Sequence, residues 1–199
     1  MLVTKMAPDF TVPAVDKNGE IISDFNFYEK TKDKYSVLFF YPLDFTFVCP
    51  TEMIALDKRM QALTERGVEV IAVSIDSQFT HARWRQTPIQ EGGIGPVRYT
   101  MAADVKHHIC RAYGVEHPAE GVALRASFII SPDKQVRVQM INDLPVGRNI
   151  DEIIRLVDAL QFTDKHGEVC PAGWIQGKQA FSANPQGVAN YLKEHEEAL

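Results

Sequence analysis

The chain has 199 residues, of which 45% are hydrophobic and 24% charged, with a formal net charge of −5; it can bury a sizeable core, and its acidic balance argues against nucleic acid or an anionic membrane as partner. No stretch approaches ~18 unbroken apolar residues and MLVTKMAPDF lacks the apolar run of a secretory signal, so a cytoplasmic location is expected. Three cysteines, Cys49, Cys110 and Cys170, are too few and too odd in number for a disulfide scaffold, which points to reduced thiols with any disulfide transient.

The run Tyr35 to Tyr41 (YSVLFFY) is β-branched and aromatic, as a buried strand requires. Pro50 suits the first turn of a following helix, on which Met53, Leu56, Met60 and Leu63 recur at spacings of three and four before a cap at Gly67. Val68 to Ile75 reads as a second buried strand, and Ser77 caps a helix running through Trp84 towards Thr87, where Pro88 stops it. Glu91 to Pro96 is a loop by composition. Tyr99 to Ala102 forms a short strand, followed by a helix through Val105, Ile109 and Tyr113 that closes at Gly114 and carries Cys110 as an incidental residue. His107 and His108 are neighbours that point in different directions, which reads as surface histidine, and no cysteine–histidine spacing suggests zinc.

Ala126 to Ile130 and Val136 to Ile141, separated by Ser-Pro-Asp-Lys, carry a hairpin signature. Asn149 caps a last helix with Ile150, Ile153, Ile154, Val157 and Leu160 on one face. Strands alternating with helices, then a hairpin and a helix, are the order of a thioredoxin-like α/β fold with a central mixed sheet flanked by helices. From Thr163 the chain turns polar and rich in Gly and Pro; it reads as an arm without a core of its own, ending in a helix over Val188 to Glu196. The expected division is therefore 1–162 and 163–199, with Cys170 in the arm.

Cys49 lies where the first strand has ended and a helix begins. Unpaired N–H groups and the positive helix end favour a thiolate there. Lowering a thiol pKa by about two units requires roughly 2.7 kcal/mol, whereas a helix terminus supplies about 0.3–1 and at most ~2 kcal/mol. A fixed cation and a hydrogen-bond donor must contribute; Thr46 is three residues away, and arginine suits the cation because it stays charged when partly buried. Glu52 stands where a dithiol oxidoreductase would have its second cysteine, so a local disulfide is excluded.

The stretch Pro42-Leu-Asp-Phe-Thr46-Phe-Val-Cys49-Pro50 closely resembles the active-site motif of the peroxiredoxins. VEVIAVSIDSQFTH, GGIGP, DVKHHICRAYGVEH, NDLPVGRNIDEIIRLVDALQF and HGEVCPAGW resemble the typical two-cysteine branch, and the likeness spans Ala7 to Leu192. It implies Cys49 as peroxidatic cysteine, Cys170 as resolving cysteine, Thr46 and Arg125 as donors to thiolate and peroxide, and Pro42 as a shield over the sulfur. Glu52 and Arg148 fall on positions that orient this cluster, and Trp84 on an aromatic packed near it with a mainly structural role. No cofactor or metal is implied. The expected substrates are hydroperoxides, the expected reductant is thioredoxin or a flavoprotein disulfide reductase, and the expected assembly is a homodimer building towards a decamer.

Three departures from the resemblance stand out. Ala126 follows Arg125 where relatives commonly have Gly, and Ser131 replaces an Asp. Leu192 stands for Phe beside Tyr191 in the element that, with Gly92 to Gly95, governs inactivation by excess peroxide, so intermediate sensitivity is expected. A chaperone or signalling role is a competing reading, while thiol–disulfide exchange is disfavoured by Glu52.

Overall fold

A hairpin that the apolar pattern does not announce opens the chain: β1 (Thr11–Val15) pairs antiparallel with β2 (Ile21–Asn26). Pro13 falls at the register shift between Val12 and Ala14, where a missing backbone N–H is tolerated. A short helix α1 (Phe27–Lys30) follows, its first turn held by the Asn26 side chain accepting from the Glu29 amide. The computed structural model describes residues 1–198. The chain divides into two compact units, Met1–Ile150 and Asp151–Leu199.

The YSVLFFY run becomes β3 (Tyr35–Phe40), buried at every position. Next come α2 (Cys49–Lys58) and α3 (Met60–Glu65), where the sequence suggested a single helix. Met53, Leu56, Met60 and Leu63 are all buried as the stripe requires, but at Arg59 (φ −100°, ψ −1°) the regular hydrogen bonding breaks, its amide donating to the Leu56 carbonyl three residues back at 3.0 Å. Gly67 ends this segment at φ +67°, a conformation that favours glycine. β4 (Val68–Ser74) leads to α4 (Gln78–Gln86), capped by Ser77 accepting from the Thr80 amide. After a single 3₁₀ turn at Ile89–Glu91 come β5 (Thr100–Ala103) and α5 (His108–Ala112).

That last helix starts later than the expected Val105, which is exposed. The Asp104 carboxylate accepts from the Ile109 and Cys110 amides and so fixes the start, with His107 left-handed at φ +59° just before it. The hairpin β6 (Arg125–Ile130) and β7 (Val136–Asn142) follows as expected.

Among the described residues seven strands form one sheet in the order β2-β1-β5-β4-β3-β6-β7. β3, β4 and β5 are parallel; the remaining pairs are antiparallel. This is the mixed sheet that the alternation of elements implied, with the unread hairpin extending one edge. Side chains alternate across β3: Leu38 and Phe40 enter a core with Phe27, Ile71, Val73, Tyr113 and Phe128. Phe39 turns to the other face, where the Arg148 guanidinium lies 3.3 Å from its ring centre.

The second unit contains α6 (Ile150–His166) and α7 (Pro185–His195). Position 163, the expected start of the arm, lies within α6. The segment beyond His166 also has a small core that composition did not suggest. Trp174, 2% exposed, packs against Phe162 at 5.0 Å, and its carbonyl accepts from Arg155 Nη1 at 2.8 Å. Phe181 lies against Tyr191 of α7 at 4.9 Å, and Asn184 caps that helix with Pro185 at its start. No described helix is long and apolar enough to cross a membrane.

Candidate active site

The end of β3 aims the chain into a loop, Tyr41 to Val48, from which α2 starts at Cys49. Val48 supplies no side-chain cap, and Pro50 occupies the first turn. Within the loop Phe45 adopts φ +54°, a left-handed conformation costing a non-glycine residue about 1–2 kcal/mol. Its ring rests 5.9 Å from Trp84, which also meets Tyr41 at 6.0 Å and donates from Nε1 to the Gly92 carbonyl at 3.0 Å. Trp84 is fully buried.

Cys49 is 0% exposed. Arg125, the first residue of β6, points Nη1 at the Cys49 sulfur from 3.4 Å and at Glu52 Oε2 from 2.7 Å, while its Nε donates to the Leu144 carbonyl at 2.6 Å. Arg148 grips the same carboxylate: its backbone N and Nε each donate to Oε1 at 2.8 Å, and Nη2 donates to Oε2 at 3.1 Å. Nη1 of Arg148 donates to the Ala126 carbonyl at 2.7 Å and to the Ser127 hydroxyl at 3.1 Å. Four elements thus build one cluster, in which Arg125 alone reaches the sulfur: α2 supplies Cys49 and Glu52, β6 supplies Arg125, the segment after β7 supplies Arg148, and β3 supplies the Phe39 ring under the Arg148 guanidinium.

Burial on its own would raise the Glu52 carboxyl; the hydrogen bonds and charge of Arg148, with the charge of Arg125, outweigh it and hold the group below the usual carboxylate range. Burial pulls the Arg148 guanidinium down, opposed by Glu52. A carboxylate held between two guanidinium groups leaves a net positive charge beside the sulfur. Gly147 lets the backbone of Arg148 approach this closely, since a Cβ at that position would lie 3.3 Å from Val48 Cγ1.

Thr46 departs from expectation in one respect. Its hydroxyl donates to the Leu43 carbonyl at 2.9 Å rather than to the sulfur, leaving only lone pairs for a ligand. Pro42, Thr46, Phe47, Val122, Arg125 and Leu144 are among the residues lining an apolar-walled pocket of about 620 Å³. Arg125 is the link between this pocket and the buried sulfur.

In the second unit Cys170 is half-buried, its sulfur 3.7 Å from the Thr163 hydroxyl and 3.7 Å from the Ala159 carbonyl. Cys110 is buried, and burial followed by the Asp104 carboxylate pushes its thiol up to about 12. His107, read as a surface residue and partly exposed, reaches Glu116 Oε1 from Nδ1 at 2.6 Å, and the ligand atoms of His107, Cys110 and Glu116 lie within 4.8 Å of one another. Arg111 also holds the Glu116 carboxylate, at 2.7 and 3.1 Å, so the acid of this cluster is already paired with an arginine.

A buried pair escaped sequence reasoning altogether. Asp44 Oδ2 lies 2.8 Å from His81 Nδ1, and Tyr41 donates to Asp44 Oδ1 at 2.7 Å. Two signals were available: Asp44 interrupts an apolar run, and His81 precedes the buried Trp84 by three positions on one helix face.

This geometry, a thiol at a helix start facing a guanidinium fixed by a buried glutamate on a thioredoxin-like sheet, defines a thiol-peroxidase type of site. Comparison with known proteins agrees: the AhpC/TSA family matches residues 3–139, and the C-terminal domain of 1-Cys peroxiredoxin matches residues 159–194. Alkyl hydroperoxide reductase C of Helicobacter pylori is 51% identical over 98% of each chain. Peroxiredoxin-2 of Macaca fascicularis is 48% identical over 97% of this chain and 96% of its own. The reduced 2-Cys peroxiredoxin of Plasmodium vivax superimposes with a TM-score of 0.93 at 42% identity, covering 97% of this chain and 99% of that one. The chain belongs to the AhpC/TSA family and, within it, to the peroxiredoxins.

Proposed function

We infer that this peroxiredoxin is a thiol-dependent peroxidase that reduces hydrogen peroxide and organic hydroperoxides. The observation that carries the reading is the 3.4 Å approach of Arg125 Nη1 to the Cys49 sulfur, with that guanidinium anchored on Glu52 at 2.7 Å. The Cys49 thiolate attacks the terminal oxygen of the hydroperoxide; the O–O bond breaks, a proton completes the departing water or alcohol, and the sulfur becomes a sulfenic acid. Arg125 donates to the oxygen on which charge grows. Thr46, its proton committed to Leu43, accepts from the peroxide O–H and orients it, and Pro42 keeps water from the sulfur. Glu52 and Arg148 hold Arg125 in place, and Trp84 supports the loop.

Cys170 then condenses with the sulfenic acid, releasing water and leaving a disulfide between subunits of a homodimer, itself part of a decamer. Thioredoxin, or a flavoprotein disulfide reductase as second choice, returns both thiols. In this reading residues 1–162 are the peroxidase domain and 163–199 the arm that brings Cys170, and the protein works in the cytoplasm. Its sensitivity to excess peroxide is intermediate, because the exposed Leu192 beside Tyr191 covers less area than an aromatic ring.

The test is non-reducing electrophoresis after one equivalent of peroxide. Wild type should give a dimer-sized band and Cys170→Ser none, while Cys49→Ser should consume no peroxide. Peroxide removal undiminished in Cys49→Ser would overturn the reading.

A further inference from the structure

The loop that carries Pro42 and Thr46 and delivers Cys49 leaves the sheet at Tyr41, whose amide donates to the Val73 carbonyl at 3.0 Å, and is held again at Asp44. Its backbone N donates to Asp76 Oδ2 at 2.9 Å, one carboxylate oxygen accepts from Tyr41 at 2.7 Å, and the other faces His81 Nδ1 at 2.8 Å. His81 is 0% exposed and Asp44 6%. The far ring nitrogen of His81, Nε2, lies 3.3 Å from the Ala102 carbonyl on β5.

That carbonyl only accepts, so Nε2 must carry a proton, and the Nδ1 contact with Asp44 then needs a second proton supplied by either the ring or the carboxyl. One proton therefore lies between His81 and Asp44 in either form. The groups facing the pair are Tyr41 from the end of β3, at 3.3 Å from Nδ1, and Asp76 from the end of β4, which also accepts from the Ser74 hydroxyl at 2.7 Å. Two carboxylates and a phenol surround the imidazole, and it is the group among them able to neutralise negative charge. A buried pair of this kind loses far more when one partner is removed than it contributes when intact.

We propose that His81 is a positioning residue for the peroxidase reaction: through Asp44 it clamps the Tyr41–Val48 loop in the closed arrangement, and so sets how the Cys49 sulfenic acid divides between a second peroxide and resolution by Cys170. His81 touches none of the reacting atoms. Its influence passes from the α4 core through Asp44 to the backbone on which Thr46 and Cys49 ride. With the clamp weakened the loop dwells open: Thr46 and Arg125 meet the peroxide in poorer register, and the sulfenic acid is exposed to resolution for a larger share of its life. Three distances and the complete burial of the ring carry this inference, and it rests on the peroxidase reading above.

The experiment compares wild type with His81→Gln, whose amide can reach Ala102 but not Asp44, and His81→Asn, whose amide nitrogen falls where Nδ1 was and keeps the Asp44 contact. Two quantities are read for each: the rate of Cys49 oxidation by peroxide in a rapid-mixing instrument, and by mass spectrometry the ratio of sulfinic acid to disulfide after a fixed excess. His81→Gln should oxidise about 10- to 100-fold more slowly and give a lower sulfinic fraction, with His81→Asn lying nearer wild type in both.

A residue that merely stabilises the fold would lower the melting temperature while leaving the product ratio unmoved, and that result overturns the proposal. So does His81→Asn behaving as badly as His81→Gln. If His81→Gln does not fold, Asp44→Ser severs the same pair from the loop side and is judged by the same two readings against wild type. A wild type that consumes no peroxide refutes the peroxidase reading itself; an active wild type matched by these variants refutes only the clamp.

Discussion

Cys49 and Cys110 are both buried, both at or near the start of a helix, and both within the first unit, yet their surroundings are opposite. Cys49 faces the Arg125 guanidinium, whereas the amide of Cys110 binds an Asp104 carboxylate whose charge, after burial, drives the thiol up to about 12. Burial protonates a thiol by default. What distinguishes the two sulfurs is the sign of the charge brought to them: the Arg125 guanidinium from 76 positions along the chain for Cys49, and for Cys110 the carboxylates of Asp104 and Glu116, each six residues away.

The sharpest way to break the contrast is Cys49→Ser, which should lower peroxide consumption by about 10³-fold or more while Cys110 stays intact. Failure of the rate to fall would mean that another thiol does the chemistry. Arg125→Met comes next: it removes the charge that distinguishes the two sulfurs and should slow Cys49 oxidation by about 10²- to 10³-fold. Labelling by a neutral alkylating reagent should slow in parallel, and unchanged labelling would show that the arginine acts on the peroxide alone.

Glu52→Gln attacks the anchor instead. Two buried guanidinium groups lose their counter-charge, and denaturant titration should report a loss of about 3–5 kcal/mol. The Glu52 carboxyl is lowered in the folded protein, so its stabilisation is present above the ordinary carboxylate value of about 4.3 and is lost as pH falls through the folded value. Acid unfolding of wild type should therefore begin below that pH, and Glu52→Gln should show a shallower acid limb.

The smallest effects belong to the other side of the comparison. Cys110→Ala should keep peroxide turnover within about twofold and cost about 1 kcal/mol of stability. In the native protein the Cys110 thiol should resist alkylation until the pH nears 12, and rapid labelling at neutral pH would show that its pocket opens.

Most elements from β3 onward follow from patterns a single sequence displays, namely runs of buried β-branched residues, helix starts marked by Ser77 and Pro50 and a glycine stop at Gly67, while the break between α2 and α3, the late start of α5 and the packing around Trp174 do not. The hairpin β1–β2 does not, because an edge pair with Pro13 at a bulge and exposed Ser23 and Asp24 lacks the apolar alternation that reveals a strand. Cys49 was marked by its position at a strand–helix junction, and its charged neighbours by motif resemblance; no local pattern links Arg125 to Cys49 across 76 positions. Thr46 shows the limit of spacing as evidence. Three residues from the sulfur, it still spends its proton on Leu43. The Asp44–His81 contact spans 37 positions and involves residue types that usually face solvent, so only the folded chain displays it.

The bare start of α2 has a mechanical consequence. With no capping side chain at Val48 and proline in the first turn, the opening coil is fastened at the Val48 carbonyl, which accepts from the Thr51 and Glu52 amides at 3.0 and 3.3 Å and from the Thr51 hydroxyl at 2.6 Å. Such an end frays readily. The unwinding halts at Glu52, because its side chain is bolted to two arginines whatever its amide does. In the proposed cycle, Phe47 to Thr51 would open as a short flap about this pivot, exposing the sulfur while Met53, Leu56 and the two guanidinium groups keep their places.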